Sequence, residues 1–161
     1  MGTTMLAPQL EISDGLWRSL IKDLARTGEG RKESGAFLLG HQSLGREVTA
    51  YLLYSDIAPD SQHVNYVLLR GSHMARVWDE CEKRQLKVVA DVHTHPGAPW
   101  QSPSDRANPI ISVPGHIALI VPNFAMGHIT LASIGFHEFQ GDGKWKSWFK
   151  ADAAARLLIR K

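Results

Sequence analysis

Residues 87–95, KVVADVHTH, constrain the fold more than any other stretch of this chain. The run is apolar and rich in β-branched residues, which predicts a buried strand that Pro96 brings to an end. Because residues i and i+2 of a strand face the same side of a sheet, His93 and His95 are expected to present their imidazoles side by side. Such a pair is suited to binding a metal ion, although an isolated pair is also compatible with two ordinary polar residues.

Helices and strands alternate irregularly around this segment. Apolar spacing predicts helices around residues 12–24, 72–86, 103–111 and 151–159. Further strands are predicted over residues 35–40, 48–57, 66–69, 116–121, 129–139 and 144–149. This order favours an α/β (α+β) fold, in which helices flank a mixed central β-sheet, over a fully parallel sheet. Ser13 or Asp14 would cap the first helix.

Size and composition are those of one globular domain. The 161 residues suit a single domain spanning 1–161, and 43% of them are hydrophobic. No apolar run approaches the roughly 18–20 residues that cross a membrane. The N-terminal stretch lacks the basic start and the apolar core of a secretory signal. These features predict a soluble, cytoplasmic protein without a membrane partner.

The single cysteine, Cys81, limits the chemistry of any metal site. One thiol excludes an intramolecular disulfide and a thiolate-rich zinc cage, so a metal would have to bind histidines and carboxylates. Eight histidines make this feasible. Cys81 falls on the apolar face of the helix predicted over residues 72–86, where it is interpreted as a core residue.

Basic residues are concentrated at the C-terminal end. Residues 144–161 contain six Lys or Arg and one Asp, a local net charge of +5, whereas the whole chain carries +2. Such a segment is compatible with a solvated face, an acidic partner or nucleic acid. Because no other feature points to nucleic acid, a nucleic-acid partner is not expected.

A third candidate ligand follows the histidines after a short loop. Asp105 can fold back onto His93 and His95, and two histidines with one carboxylate leave the fourth tetrahedral position open, as catalytic zinc requires. The stretch from Ser102 through Pro103 to Asp105 is also a favourable helix start, with Ser102 as N-cap. The two interpretations are compatible, because a helix start holds a ligand rigidly and the Ser102 hydroxyl can still donate towards a reacting carbonyl.

Hydrolysis at such a metal also needs a group that moves protons. Zinc lowers the pKa of bound water to about 7, so that a hydroxide can attack a carbonyl. A proton must then pass to the leaving group. Glu33 is the candidate, because it opens the strand predicted over residues 35–40, which can lie beside the histidine-bearing strand. A surface glutamate at a strand entrance is the alternative.

Three motifs resemble those of the JAB/MPN (JAMM) metalloproteases: Glu33-Ser-Gly-Ala-Phe-Leu-Leu-Gly40, His93-Thr94-His95-Pro96 and Ser102-x-x-Asp105. The resemblance covers about residues 12–140. It implies a cytidine-deaminase-like fold, Zn²⁺ bound by His93, His95 and Asp105, Glu33 as general acid/base, and Ser102 as a stabiliser of the oxyanion. The loop from His95 to Ser102 is one residue shorter than in many eukaryotic members.

The resemblance also implies a substrate class. Members of this family remove ubiquitin or ubiquitin-like proteins from conjugates, and the stretches SDRANPIIS and GHIALIVPNFA are similar to small bacterial members from anti-phage operons. We therefore expect a zinc-dependent isopeptidase or peptidase that releases a ubiquitin-like modifier, or a target C-terminus, from a conjugate. Activating and conjugating enzymes are the expected partners.

Other functions are compatible with parts of this pattern. A zinc peptidase acting on a sulfur-carrier-like protein or a peptide conjugate keeps the same site, and a catalytically inactive scaffold keeps only the fold. A nucleobase deaminase is excluded, because it requires a Pro-Cys-x-x-Cys segment and only one cysteine is present.

Trp100 lies in the loop between His95 and Ser102. A tryptophan at this place either packs inward or contacts a substrate. Inward packing is expected, because large aromatic side chains usually bury most of their area.

Overall fold

The computed structural model describes residues 8–41 and 46–161. In chain order the helices and strands are β1 (Leu10–Ser13), α1 (Asp14–Gly28), β2 (Gly35–His41), β3 (Glu47–Val48), β4 (Ala50–Leu53), α2 (Tyr54–Ile57), α3 (Gly71–Arg84), β5 (Leu86–Thr94), α4 (Pro103–Ala107), β6 (Ile117–Val121), β7 (Gly135–Gly141), β8 (Lys144–Trp148), α5 (Lys150–Ala154) and β9 (Leu157–Arg160). Two 3₁₀ turns, Asn123–Ala125 and Leu131–Ser133, lie between β6 and β7.

Six strands form a mixed central sheet in the order β4-β2-β5-β6-β7-β8. Strands β5 and β6 run parallel, and the other neighbours are antiparallel. The short strands β3, β1 and β9 form a second sheet, which is parallel. The predicted α/β (α+β) fold with a mixed central sheet is therefore confirmed. Strand β5, which carries the histidines, lies inside the sheet between β2 and β6.

Helices cover both faces of the central sheet. Helix α1 packs Leu20 against one face in a buried cluster that includes Val92 of β5. Helix α3 packs Val77 and Cys81 against the other face, together with Phe37 of β2. Cys81 is buried, and this burial raises the pKa of its thiol, so the prediction of a core residue is confirmed.

Helix α1 begins where the sequence predicts a cap. The Ser13 hydroxyl accepts a hydrogen bond from the backbone N–H of Leu16 at 3.2 Å, which makes Ser13 the N-cap. Ile12 lies one residue earlier, in β1, and not in the helix as predicted. Its side chain is nevertheless buried in the same cluster as Leu20. The apolar spacing therefore continues from the strand into the helix and does not mark the boundary between them.

Two predicted strands between β2 and α3 are wrong in part. Residues 48–57 are not one strand, because the chain leaves β3 after Val48 and joins β2 of the other sheet through β4. Tyr54–Ile57 then forms a helical turn whose first and last side chains are buried. In residues 66–69, Val67 forms only an isolated bridge with Gln62, because no longer strand lies beside this segment in the described part of the chain.

Three predicted boundaries in the second half of the chain are also wrong. The helix expected over residues 103–111 ends at Ala107, two residues before Pro109, which disfavours helical backbone at its predecessor. The strand expected over residues 129–139 begins at Gly135, after a 3₁₀ turn. The helix expected over residues 151–159 ends at Ala154, because residues 157–160 pair with β1 as β9.

The basic residues near the C-terminus are partly used within the fold. The Arg156 guanidinium lies 4.0 Å from the ring centroid of Trp148, and Arg160 forms an ion pair with Glu47. Two of the six basic residues therefore stabilise contacts within the fold.

Among the described helices, none has the length and apolar character required to cross a bilayer.

Candidate metal centre

Strand β5 brings two histidines to one end of the central sheet. His93 is its penultimate residue and pairs with Gly35 of β2. His95 follows the strand, and its backbone N–H donates to the carbonyl of Val121 at 2.9 Å, while its carbonyl accepts from the N–H of Phe124 at 2.8 Å. The Nε2 atoms of His93 and His95 lie 3.0 Å apart, and both side chains are buried.

The first turn of α4 brings a carboxylate to these imidazoles. Ser102 is the N-cap of α4: its Oγ accepts from the Asp105 N–H at 3.1 Å, and its own N–H donates to Asp105 Oδ2 at 2.9 Å. Asp105 Oδ2 lies 3.0 Å from His95 Nε2, and Oδ1 lies 3.5 Å from His93 Nε2. The capping box therefore fixes the Asp105 carboxylate where it bridges both histidines.

Glu33 reaches the site from the start of β2. Its side chain is only 2% exposed, and its Oε1 lies 3.4 Å from His95 Nε2. The backbone N–H of Glu33 donates to the carbonyl of His63 at 2.7 Å. A carboxylate buried this deeply needs polar or charged partners, and the histidine cluster supplies one.

Hydrogen bonds and close packing also fix the residues that follow Glu33. The N–H of Ser34 donates to Thr94 Oγ1 at 2.9 Å, and the N–H of Thr94 donates back to the Ser34 carbonyl at 2.8 Å. A Cβ on Gly35 would lie 2.3 Å from the ring of Tyr54, so only glycine fits there. These contacts fix the entrance of β2 against the histidine-bearing end of β5.

Burial and neighbouring charges shift the pKa values of the site. Burial raises the pKa of Glu33 to about 7, although His93 and His95 oppose the shift. Burial would also raise the pKa of Asp105, but the neighbouring imidazoles of His93 and His95 outweigh it and hold that pKa well below its usual range. Burial acts to lower the pKa of His93, and Asp105 more than offsets it, so the pKa lies above its ordinary value. The site thus joins a firmly ionised Asp105 to a Glu33 that exchanges its proton near neutral pH.

The donor atoms are of the kinds that bind zinc, and their spacings are close to those around a zinc ion. Tetrahedral zinc with bonds of about 2.0–2.2 Å keeps its ligand atoms about 3.3–3.6 Å apart. The contacts among His93, His95 and Asp105 measure 3.0, 3.0 and 3.5 Å, with a different Asp105 oxygen facing each histidine, so two of the three are slightly shorter than this range. Two facing Nε2 atoms cannot both carry a hydrogen, and a cation would satisfy both lone pairs at once. Imidazole and carboxylate groups are ligands that suit zinc.

All five residues proposed for the site lie together: Glu33, His93, His95, Ser102 and Asp105. The donor atoms of Glu33, His93 and His95 also lie within 4.8 Å of one another, so this glutamate is an alternative third ligand. Asp105 lies within 3.5 Å of both imidazoles, whereas Glu33 contacts His95. This geometry favours Asp105 as the ligand and Glu33 as the acid/base, and both roles stay predictions.

Two further histidines near the site were missed in the sequence. His116 Nε2 lies 2.7 Å from Oδ2 of Asp91, a residue on the same face of β5 as His93. His137 of β7 contacts the carbonyl of Pro99 in the loop that follows His95. The i, i+2 spacing in residues 87–95 could have indicated Asp91. Nothing local identifies the partners of His116 or His137, because both contacts join distant parts of the chain.

A narrow cleft lies beside the candidate metal centre. It encloses about 70 Å³ and is lined among others by Tyr66, Val67, His93, Gln101, Asp105 and Trp145. Trp100, next to Gln101, is 66% exposed, so the expected inward packing is wrong. The loop is attached to the sheet through the Pro99 carbonyl, and the side chain of the next residue, Trp100, faces solvent.

Comparison with known proteins gives a family and a fold. Residues 15–130 match the model of a family described as prokaryotic homologs of the JAB domain. The probable metalloprotease y4jG of Sinorhizobium fredii (strain NBRC 101917 / NGR234) is 32% identical over 73 residues, which cover 45% of this chain and 44% of that protein. The match therefore spans less than half the length of this relative.

Two solved structures are similar over nearly the whole chain. Protein DSY2949 from Desulfitobacterium hafniense superposes with a TM-score of 0.68 at 12% identity, covering 94% of this chain and 93% of that one. A protein from Salinibacter ruber (strain DSM 13855) gives 0.56 at 17% identity, covering 94% and 92%. At these identities the likeness shows the fold alone. The family match covers most of the chain and agrees with the cluster of histidines and carboxylates: this chain belongs to the prokaryotic JAB-domain family.

Proposed function

We propose that this chain is a zinc-dependent isopeptidase or peptidase that releases a ubiquitin-like modifier, or the C-terminus of a target protein, from a protein conjugate. One observation carries the proposal. Glu33, whose pKa is raised to about 7 by burial, lies 3.4 Å from one of two histidines that Asp105 bridges. Amide hydrolysis at neutral pH requires an acid/base of this kind beside an electrophilic centre.

Each group of the site has a distinct task. When bound, zinc supplies Lewis acidity that polarises the scissile carbonyl and makes water nucleophilic near neutral pH. His93, His95 and Asp105 would hold the ion. Glu33 takes a proton from the attacking water and delivers it to the leaving amine, so the C–N bond breaks without expelling an amide anion. The fixed entrance of β2 keeps the Glu33 carboxylate directed at the site.

Ser102 contributes through its hydroxyl. One lone pair of Oγ accepts the N–H of Asp105, so the hydroxyl hydrogen is free to donate elsewhere. We assign that hydrogen to the carbonyl oxygen that gains negative charge as water adds. The same residue therefore positions a metal ligand and stabilises the oxyanion.

The segment over residues 61–68 offers a surface for an extended substrate tail. Tyr66 and Val67 line the cleft beside His93. This segment is a tight hairpin in which Leu68 pairs with Ser61 and His63 with Tyr66, and on its second arm Tyr66 and Leu68, two residues apart, are 46% and 43% exposed. Exposed apolar side chains at every second position are suited to a partner that adds as a strand, since such a partner combines backbone pairing with side-chain contacts.

The partners belong to the same proposal. The motifs resemble those of small bacterial members, which supports activating and conjugating enzymes as partners, an anti-phage setting and a cytoplasmic location. Neighbouring genes provide the test. A ubiquitin-like protein with its conjugating enzymes nearby supports modifier removal, whereas a nucleotide cyclase nearby supports release of that cyclase.

A cleavage assay tests the activity directly. The zinc-loaded protein is incubated with a ubiquitin-like protein joined to a lysine side chain, and with the same protein in linear fusion. Mass spectrometry identifies the new C-terminus. We expect cleavage immediately after the last residue of the modifier, lost on zinc removal and in Glu33→Gln. Zinc-loaded protein that leaves every conjugate intact contradicts the proposal.

A second substrate is tested in the same assay. A sulfur-carrier-like protein or a peptide conjugate also presents a small-residue tail, so the same groups would act on it. Faster turnover of these substrates than of the ubiquitin-like conjugate would favour this alternative. The inactive scaffold is disfavoured, because the two histidines and three partner residues all converge.

A further inference from the structure

The loop over residues 96–101, between His95 and Ser102, is attached to the central sheet at Pro99. The Pro99 carbonyl oxygen lies 3.0 Å from Nε2 of His137 in β7. A Cβ on Gly135, also in β7, would lie 1.9 Å from the same oxygen. In strand β7, Gly135 therefore leaves room for the loop backbone, and His137 forms a hydrogen bond with it.

The surroundings of His137 specify which nitrogen carries the hydrogen. A carbonyl oxygen only accepts, so Nε2 must be the donor to Pro99. Nδ1 then accepts from the Ser147 hydroxyl of β8, which lies 2.7 Å away. The ring also packs edge-on against Phe149, with centroids 5.5 Å apart, and the residue is 1% exposed. Burial lowers the pKa of His137 to about 4, so this neutral form persists throughout the neutral range.

The attachment lies close to the candidate metal centre along the chain. At its start the loop is held by the backbone of the turn after β6, where the N–H of Asn123 donates to the Gly97 carbonyl at 3.1 Å. Ser102 follows Pro99 by three residues, and Asp105 by six. The position of the Pro99 carbonyl therefore limits where α4 can begin.

We propose that His137 is a positioning residue, which holds the loop at Pro99 and thereby sets where Ser102 and Asp105 meet the two histidines. Its hydrogen bonds join it to Pro99 and Ser147 and not to the candidate ligands, so its effect is transmitted through the loop backbone. The expected effect on turnover rests on the proposed function, whereas the expected effect on zinc affinity requires only the metal site.

Three variants test the proposal. His137→Phe keeps the ring and removes both hydrogen bonds, whereas His137→Gln keeps an amide N–H that can donate to Pro99. His128→Gln, at an exposed histidine, is the matched control. Zinc dissociation constants are measured by competition with a chromophoric chelator. We expect affinity to fall about tenfold in the phenylalanine variant, as when outer-shell support is lost, and to stay within about threefold of wild type in the other two.

A measurement on the unchanged protein makes the test independent of variant folding. Nitrogen-15 NMR distinguishes the two neutral histidine tautomers, and we expect His137 to carry its hydrogen on Nε2 at pH 7. On the conjugate substrate, His137→Phe should lower kcat about tenfold and change KM less than twofold, because Ser102 and Asp105 act in the transition state. A glutamine variant that restores kcat excludes a loss caused merely by weakened packing.

The outcomes are separable. A folded His137→Phe protein with wild-type zinc affinity overturns the proposal, and so does an Nδ1–H tautomer in the wild-type protein. If the phenylalanine variant does not fold, the proposal is tested by the tautomer of His137 in the wild-type protein and by the zinc affinity of His137→Gln. Zinc binding that follows the expected pattern without cleavage of any conjugate supports the positioning role and contradicts the proposed function instead.

Discussion

Asp105 Oδ2 lies 3.0 Å from Nε2 of His95, and the same oxygen accepts the N–H of Ser102. This carboxylate is therefore held both by a helix cap and by an imidazole. We expect one zinc per chain, bound through His93, His95 and Asp105. Metal analysis by mass spectrometry of protein prepared without chelators should give a ratio near one.

Replacing Asp105 tests whether Asp105 or Glu33 is the third zinc ligand beside the two histidines. Asp105→Asn keeps the cap acceptor and removes the charge, so zinc affinity should fall by about 100-fold or more, beyond what the loss of an outer-shell group causes. Asp23→Asn, on α1, is a control carboxylate outside the site. If Asp105→Asn keeps wild-type zinc affinity, Glu33 is the third ligand.

Glu33→Gln should remove turnover and leave zinc in place. The amide cannot exchange protons, and positioned acid/base groups contribute about 10²- to 10⁴-fold to rates. The measurement is kcat on the conjugate, together with zinc content. Glu29→Gln, at an exposed glutamate four residues earlier, is the control and should retain full activity. Near wild-type turnover in the Glu33 variant would show that another group carries the proton.

Glu33 should also make the stability of the metal-free protein depend on pH. The folded pKa of Glu33, about 7, lies above the ordinary 4.5, so between these values the folded state keeps a proton that the unfolded state has released. The contribution of Glu33 to the free energy of unfolding therefore falls as pH rises from 4.5 to 7. Glu33→Gln should stabilise the metal-free protein by an amount on the order of 3 kcal/mol at pH 8 and hardly at pH 4.

Chemical denaturation of both proteins at the two pH values, with chelator present, measures this difference. Equal stabilisation at pH 4 and pH 8 would mean that the glutamine acts through packing or hydrogen bonding, because ionisation affects only the higher pH. A stabilising substitution at this position would also indicate that the native glutamate is kept for function at a cost in stability.

The candidate site could largely be predicted from the sequence because its groups are close along the chain. The i, i+2 spacing places His93 and His95 on one face, and the i, i+3 spacing of Ser102 and Asp105 forms the capping box. Glu33 lies sixty residues before His93, and its choice depended on the resemblance to a known family as well as on the predicted strand.

Long-range partners could not be predicted in the same way. Residues 157–160 have the apolar pattern of a helix end, but β1 provides a strand to pair with, and this tertiary contact determines the structure. The contact between His137 and Pro99 links residues that are 38 positions apart and has no periodic signal. The exposure of Trp100 was predicted wrongly because it depends on the folded position of its loop, which has no local signal in the sequence.

Trp100→Ala should change kinetics and not stability. The side chain is 66% exposed, so its removal should alter the free energy of unfolding by less than about 0.5 kcal/mol. On the conjugate we expect kcat/KM to fall roughly tenfold, since an exposed tryptophan on an anchored loop beside the cleft can act as a contact for substrate. Trp78→Ala, at an exposed tryptophan of α3, is the matched control. Unchanged kinetics together with a lower melting temperature would establish a packing role.

The substrate tail is expected to be flexible and rich in glycine or other small residues at the cleavage point. The cleft beside His93 encloses only about 70 Å³, so bulky side chains next to the scissile bond should not fit. Strand addition along residues 66–68, the second arm of the hairpin, requires free backbone N–H groups in the tail. Fusions that share one leaving group test both requirements: a small-residue tail, a bulky tail, and a small-residue tail interrupted by proline. The first should be cleaved at least about tenfold faster than the others, because proline removes a pairing donor. Equal rates for all three would contradict strand addition, even if the site binds zinc and Glu33 is essential.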